Sequence, residues 1–304
     1  MAGRSIHAAE TMLELRAGRA VVDLVPAIGG SIATFRWNAD DRSIDWLRPA
    51  TAAALGRGDP EGMACFPLVP YSNRIRAGRF TFDGQTIQLP TRAGADPHCE
   101  HGLGWRSAWT VVAADMTSAA LQYRHSADAW PWPYLAEQRF AVSINDLSVG
   151  LALTNLSDRP MPCGLGLHPY FPRSAGTTLT AAVTAMWATD ADVLPHHLIP
   201  PPTEGDPRMG LPVSTAALDN AFIGWNGDAE IRHPALRIEA ASPLRVLVVY
   251  TPPDEDFFCV EPVSNVTDAF NLAAAGRPDT GLVVLPPGET LRTSVRFIPC
   301  PTLA

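Results

Sequence analysis

The chain of 304 residues carries 31 acidic and 23 basic side chains, a net charge of −8, and every one of the 23 is an arginine. Without a lysine amine, Schiff-base aldolase, pyridoxal-phosphate and P-loop chemistry are excluded. Net negative charge without a basic footprint argues against nucleic acid and anionic membrane as partners.

At 46% hydrophobic and 18% charged, the composition supports a sizeable buried core, and its many glycines and prolines imply many turns. Met1–Glu10 holds Arg4, His7 and Glu10 with no apolar run of signal-peptide length. No stretch approaches the roughly 18 apolar residues of a membrane span. The five cysteines, at 65, 99, 163, 259 and 300, include no Cys-x-x-Cys pair, so neither a disulfide framework nor a thiolate zinc site is indicated. The expectation is an unexported, cytoplasmic protein.

Strand-like runs begin at Ala20–Val25 and Ser31–Trp37. Met63 to Ile75 is an apolar, proline-stiffened stretch that ends in Tyr71-Ser-Asn-Arg74, a cluster of hydroxyl, amide and guanidinium groups. Phe82 to Leu89 predicts a hairpin around Asp83-Gly84. His98-Cys-Glu-His-Gly-Leu-Gly-Trp105 then sets two imidazoles beside two glycines and an indole. Further strands are expected at Trp109–Ala114, Leu121–His125, Gln138–Ile144 and Leu147–Asn155. In the last of these, apolar residues at 147, 149, 151 and 153 define one buried face.

Gly164-Leu-Gly-Leu-His-Pro-Tyr-Phe171 places His168 between an apolar run and aromatics. Asp190 to Leu211, with five prolines, predicts a long loop. Leu236–Ala240, Arg245–Thr251, Phe257–Val260, Gly281–Leu285 and Thr290–Ile298 complete the strands. The fold class expected is all-β, a large antiparallel sandwich in one domain spanning 1–304.

Glu261 follows Phe257-Phe-Cys-Val260, where a carboxylate is desolvated and is either paired or protonated with a raised pKa, the tuning a general base requires. His168, a lone histidine in an apolar strand, is of a kind more often found as a hydrogen-bonded core residue than as a catalyst. His98-x-x-His101 and His196-His197 lack the helical or cysteine context of a metal site, and no Gly-x-Ser-x-Gly elbow is present. Neither metal nor cofactor is expected. Arginine, asparagine, histidine, carboxylates and aromatic rings on a β scaffold together suit a sugar, whose hydroxyls they pair and whose apolar face they stack against.

These motifs resemble, in order, those of the aldose 1-epimerase (mutarotase) family: Phe66 to Ile75, His101-Gly102, His168-Pro-Tyr-Phe171, Leu218-Asp-Asn-Ala-Phe222, Val260-Glu-Pro262 and the closing Gly281 to Leu291. The resemblance implies a galactose mutarotase-like sandwich that interconverts α and β anomers of a free monosaccharide. It also implies Glu261 as base and His168 as acid, with His101, Arg74, Asp219 and Asn73 on the sugar. Trp225, Trp105 and His98 are further candidates for the pocket. Two departures are Glu100, where relatives often carry an apolar residue, and Gly102-Leu-Gly-Trp105 in place of a double glycine. A hexose-6-phosphate mutarotase would need a phosphate cradle built from arginine alone, with Arg76 and Arg79 as its candidates. A non-catalytic sugar-binding module is the alternative of a different class.

Overall fold

The computed structural model describes residues 12–38, 43–91 and 97–300. The expectation drawn from Met1–Glu10 lies outside these residues. Two large antiparallel sheets dominate. The first runs Leu13–Ala17, Ala20–Val25, Ser31–Asn38, Cys65–Leu68, Gly166–Pro172, Phe257–Val263, Val246–Tyr250, Asp219–Ile223, Ala185–Thr189, Pro195–Ile199, with Ser43–Asp45 beside Ser31–Asn38. The second runs Thr110–Ala114, Ser118–His125, Tyr134–Val142, Leu147–Asn155, Thr290–Pro299, Leu236–Ala240, Asp228–Arg232, Thr178–Ala181, Leu211–Pro212. The two α-helices among the described residues, Ala52–Arg57 and Ala269–Ala274, span six residues each. No described helix is long and apolar enough to cross a membrane.

Period-two alternation builds the space between the sheets. Leu147, Val149, Leu151 and Leu153 are buried while their neighbours are half-exposed, as the sequence predicts. They meet Leu167, Phe171, Phe222, Leu247, Val249, Phe258 and Val260 from the first sheet in one apolar cluster. The central strands of the first sheet are buried on both faces. Phe66, Leu68, Tyr170, Ala221, Val246, Val248, Cys259 and Val263 form a separate cluster on the face turned away from the second sheet. Glu261 lies between Cys259 and Val263 in the alternation, so it belongs to that outer face.

The hairpin at Asp83-Gly84 joins Arg79–Phe82 to Gln85–Gln88, with φ of 48° and 71° at the two turn residues, the left-handed pair that a tight two-residue turn requires. Asp190 to Leu211 departs from the expectation of a loop. Its Pro195–Ile199 segment is an edge strand paired with Ala185–Thr189. Proline is tolerated there because it opens the strand at the sheet margin and only one side needs N–H donors. Ala185–Thr189, Asp219–Ile223 and Asp228–Arg232 are strands that local pattern did not mark.

Candidate active site

Register brings the distant motifs onto the outer face of the first sheet. His168 pairs with Phe66, Tyr170 with Cys259, Glu261 with Val248, and Asp219 with Tyr250. Between them opens a cleft of about 360 Å³, lined among others by Arg48, Phe66, Asn73, Arg74, Glu100, His101, Trp105, His168, Tyr170, Asp219 and Glu261.

The buried floor of the cleft is a carboxyl and an imidazole. Glu261 is 2% exposed and His168 7%, and Oε1 of the one lies 3.4 Å from Nε2 of the other. Among the described residues, Oε2 of Glu261 and Nδ1 of His168 have no hydrogen-bond partner, which is expensive unless the site receives a polar ligand. Burial pushes the Glu261 carboxyl well above the usual carboxylate range; the charge of Asp219 adds to this and Arg74 opposes it. Burial also pushes His168 well below the usual imidazole value, with the Arg48 guanidinium acting in the same direction. Both shifts favour uncharged forms. The Cys65 and Cys259 thiols next to them are held protonated, chiefly by burial.

The walls are aromatic on one side and polar on the other. Phe66 stacks on His168 at 4.6 Å and on Trp105 at 5.0 Å between ring centroids, and Tyr170 stacks on His168 at 4.8 Å. Opposite, Arg74 Nη1 lies 3.4 Å from Asp219 Oδ2. The Tyr-Ser-Asn-Arg and His-Cys-Glu-His segments meet through a short ladder, Arg74 with Glu100 and Ile75 with Cys99. Beside it the His101 N–H donates to the Asn73 carbonyl at 3.0 Å, and the Asn73 N–H donates to His101 Nδ1 at 3.2 Å. Asn265 braces the same loop from behind: its amide nitrogen donates to the Ser72 carbonyl, and its amide oxygen accepts from the Ser72 hydroxyl. Gly102 has φ of 69°, and a Cβ there would sit 2.3 Å from the Val69 carbonyl oxygen. Its glycine identity is therefore a packing requirement.

Of the residues named from sequence, Glu261, His168, Arg74, His101, Asp219 and Asn73 all line this cleft. Trp225 does not. After Gly224, at φ 69°, the chain turns its indole into the core between the sheets, where it is 1% exposed and its Nε1 donates to the Asp228 carbonyl. Trp105 does line the cleft. His98 borders a different cavity with Leu89, Leu103 and Trp130, and its Nδ1 accepts from the Ala77 N–H. Arg76 and Arg79 are outside the cleft; the Arg76 guanidinium faces Asp268 and Asp190 at 3.7 and 3.9 Å. Among the described residues no group of three histidines, cysteines or carboxylates is placed to hold a metal ion.

Sequence reasoning missed Arg48, Tyr170, Tyr250 and Phe257, all lining residues. The Arg48 guanidinium lies over the Tyr170 ring at 4.0 Å, with Nη2 donating to the carbonyls of Glu61 and Met63. Tyr170 was findable, since two residues beyond His168 is the same strand face. Nothing local marks Arg48.

The family model described as aldose 1-epimerase matches residues 11–297. YphB of Escherichia coli (strain K12), an uncharacterized protein, is 32% identical over 257 residues, covering 79% of this chain and 86% of its own. YihR of the same organism, also uncharacterized, is 26% identical over 233 residues, 69% of this chain and 75% of its own. An Escherichia coli K12 crystal structure provisionally named an aldose 1-epimerase superposes with a TM-score of 0.84 at 30% identity, covering 95% of this chain and 98% of the other. A galactose mutarotase-like protein from Clostridium acetobutylicum reaches 0.80 at 19% identity over 94% of each chain, a likeness of fold. With a match across nearly its whole length, the chain belongs to the aldose 1-epimerase family.

Proposed function

We propose that the protein is an aldose 1-epimerase acting on a free aldose, with Glu261 as general base and His168 as general acid. The observation that carries this is the buried carboxyl–imidazole contact of 3.4 Å on the cleft floor. A sugar bound across it offers a hydroxyl and a ring oxygen one carbon apart. With the pair's one proton passed across the 3.4 Å contact from the Glu261 carboxyl to His168, Glu261 takes the proton from the anomeric hydroxyl while His168 protonates the ring oxygen. The bond from C1 to the ring oxygen breaks and C1 becomes an aldehyde. After rotation about C1–C2, the two groups return their protons in reverse and the other anomer closes. One proton taken and one given leave the pair's total charge unchanged, which suits a site where burial penalises a net charge.

Arg74, Asp219 and Asn73 offer donors and acceptors to the remaining hydroxyls, and Phe66 and Trp105 form an apolar wall. The cleft counts two arginines, Arg48 and Arg74, against the carboxyl groups Glu61, Glu100, Asp219 and Glu261. That balance supports an unphosphorylated substrate over a sugar phosphate.

Polarimetry or NMR exchange with glucose, xylose and glucose 6-phosphate tests the reading. Glu261→Gln and His168→Asn should each lower kcat by roughly 10²–10⁴-fold, the usual contribution of one acid–base group, with circular dichroism unchanged. Near-normal mutarotation by either variant of every sugar the wild type accepts would remove that residue from the chemistry.

A further inference from the structure

The two histidines of the cleft are held differently. His101 Nδ1 accepts a hydrogen bond from the main-chain N–H of Asn73 at 3.2 Å, and both residues are buried. A peptide N–H cannot rotate away or give up its proton. A proton on Nδ1 would set two N–H groups against each other out of reach of water, at the cost of an unmade buried hydrogen bond. The ring's one proton therefore belongs on Nε2, which lies 3.8 Å from Glu100 Oε2. Glu100 precedes His101 in the chain and closes the short strand Cys99–Glu100. From other elements Arg74, Asp219, His168 and Glu261 line the same cleft, and the His168 ring centre is 5.2 Å from that of His101.

We infer that Asn73 is a positioning residue whose backbone N–H locks His101 as the neutral Nε2–H tautomer, making His101 a fixed hydrogen-bond donor to the sugar and leaving His168 alone to carry the proton. The assignment to the sugar rests on the proposed mutarotase reading; the tautomer does not. A locked neutral His101 also spares His168 a second positive charge at close range, which would oppose its protonation. The identity of residue 73 follows from the backbone. Its φ is 62°, a region asparagine tolerates better than most side chains, and its Oδ1 accepts from the Arg74 N–H at 2.8 Å, so its amide oxygen serves the turn.

Long-range ¹H–¹⁵N correlation on the full-length protein labelled at histidine, at neutral pH, reads the tautomer directly, with His101 assigned by the signals lost in His101→Gln. A protonated Nε2 and an unprotonated Nδ1 are expected. An imidazolium pattern or an Nδ1–H tautomer would overturn the inference, and this readout stands whether or not any aldose is turned over. Asn73→Gly keeps both the N–H and the left-handed conformation. It should preserve the His101 spectrum, because the group that fixes the ring is the main-chain N–H and not the side chain. An Nδ1–H or imidazolium pattern for His101 in this variant would show that the side chain, and not the main-chain N–H, sets the tautomer, and would sink the positioning role.

Discussion

Two titratable groups share one buried space, and at the scale of single residues their opposed shifts govern how the protein responds to pH. Glu261 is raised from an ordinary value of 4.5 and His168 lowered from 6.5. The active pair holds one proton. It fails on the acid side when a second proton reaches the imidazole and on the alkaline side when the single proton leaves the carboxyl. A lowered His168 moves the first limb down and a raised Glu261 moves the second up. The profile of kcat/KM should therefore be a broad bell with a plateau through neutrality, and a profile falling steeply between pH 6 and 8 would contradict the pairing. Stability carries a related signature. Because the folded pKa of Glu261 is raised, its own contribution to stability is fully present below 4.5 and is lost as pH rises through the folded value. Glu261→Gln removes that loss, so its Tm should exceed that of the wild type at pH 8 and converge with it below pH 4.5, as read by thermal melts. The raised pKa of Glu261 was legible in the sequence, since four apolar residues precede it in a strand. Its contact with His168 was not, because the two lie on strands whose adjacency only the sheet order supplies.

The site depends on elements that hold their backbones close. Gly102 brings the His101 turn against Val69, and the two-residue ladder of Arg74 and Ile75 with Glu100 and Cys99 ties that turn to the Arg74 loop. Gly102→Ala places a Cβ against a carbonyl oxygen in a left-handed conformation. It should cost about 1–3 kcal/mol of stability in urea unfolding and raise KM through displaced His101 and Arg74. An unchanged midpoint and KM would show the turn to be more tolerant than its geometry implies. Asn265→Ala strips the brace behind Ser72, leaving buried main-chain groups of the loop unpaired, with a cost of about 1–3 kcal/mol for each group left without a partner. Local signals predicted the strands with strong alternation or apolar runs, such as Leu147–Asn155 and Leu236–Ala240. They failed for Pro195–Ile199, where proline reads as a break although an edge strand accommodates it, and for Asp219–Ile223, whose strand character comes from its neighbours.

Across the whole molecule the two faces of the first sheet have separate tasks, one packed against the second sheet and one carrying the cleft. Phe297 lies in the core between the sheets, wholly buried, on the strand pairing with Leu147–Asn155 and Leu236–Ala240. Phe297→Ala should cost about 3–5 kcal/mol of unfolding free energy while KM for the accepted aldose stays unchanged. A shifted KM would mean that the core face also positions the site. The sequence by itself determined the antiparallel β class, the family and seven residues of the cleft, Trp105 among them, because alternation and short motifs are local and survive without the fold. Tertiary structure alone decided that Trp225 belongs to the core, that Arg48 belongs to the cleft, and that Glu261 meets His168. Each of those depends on which strands lie side by side and which face a turn presents, and a sheet closed by contacts between distant segments leaves no record of that in any one stretch of chain.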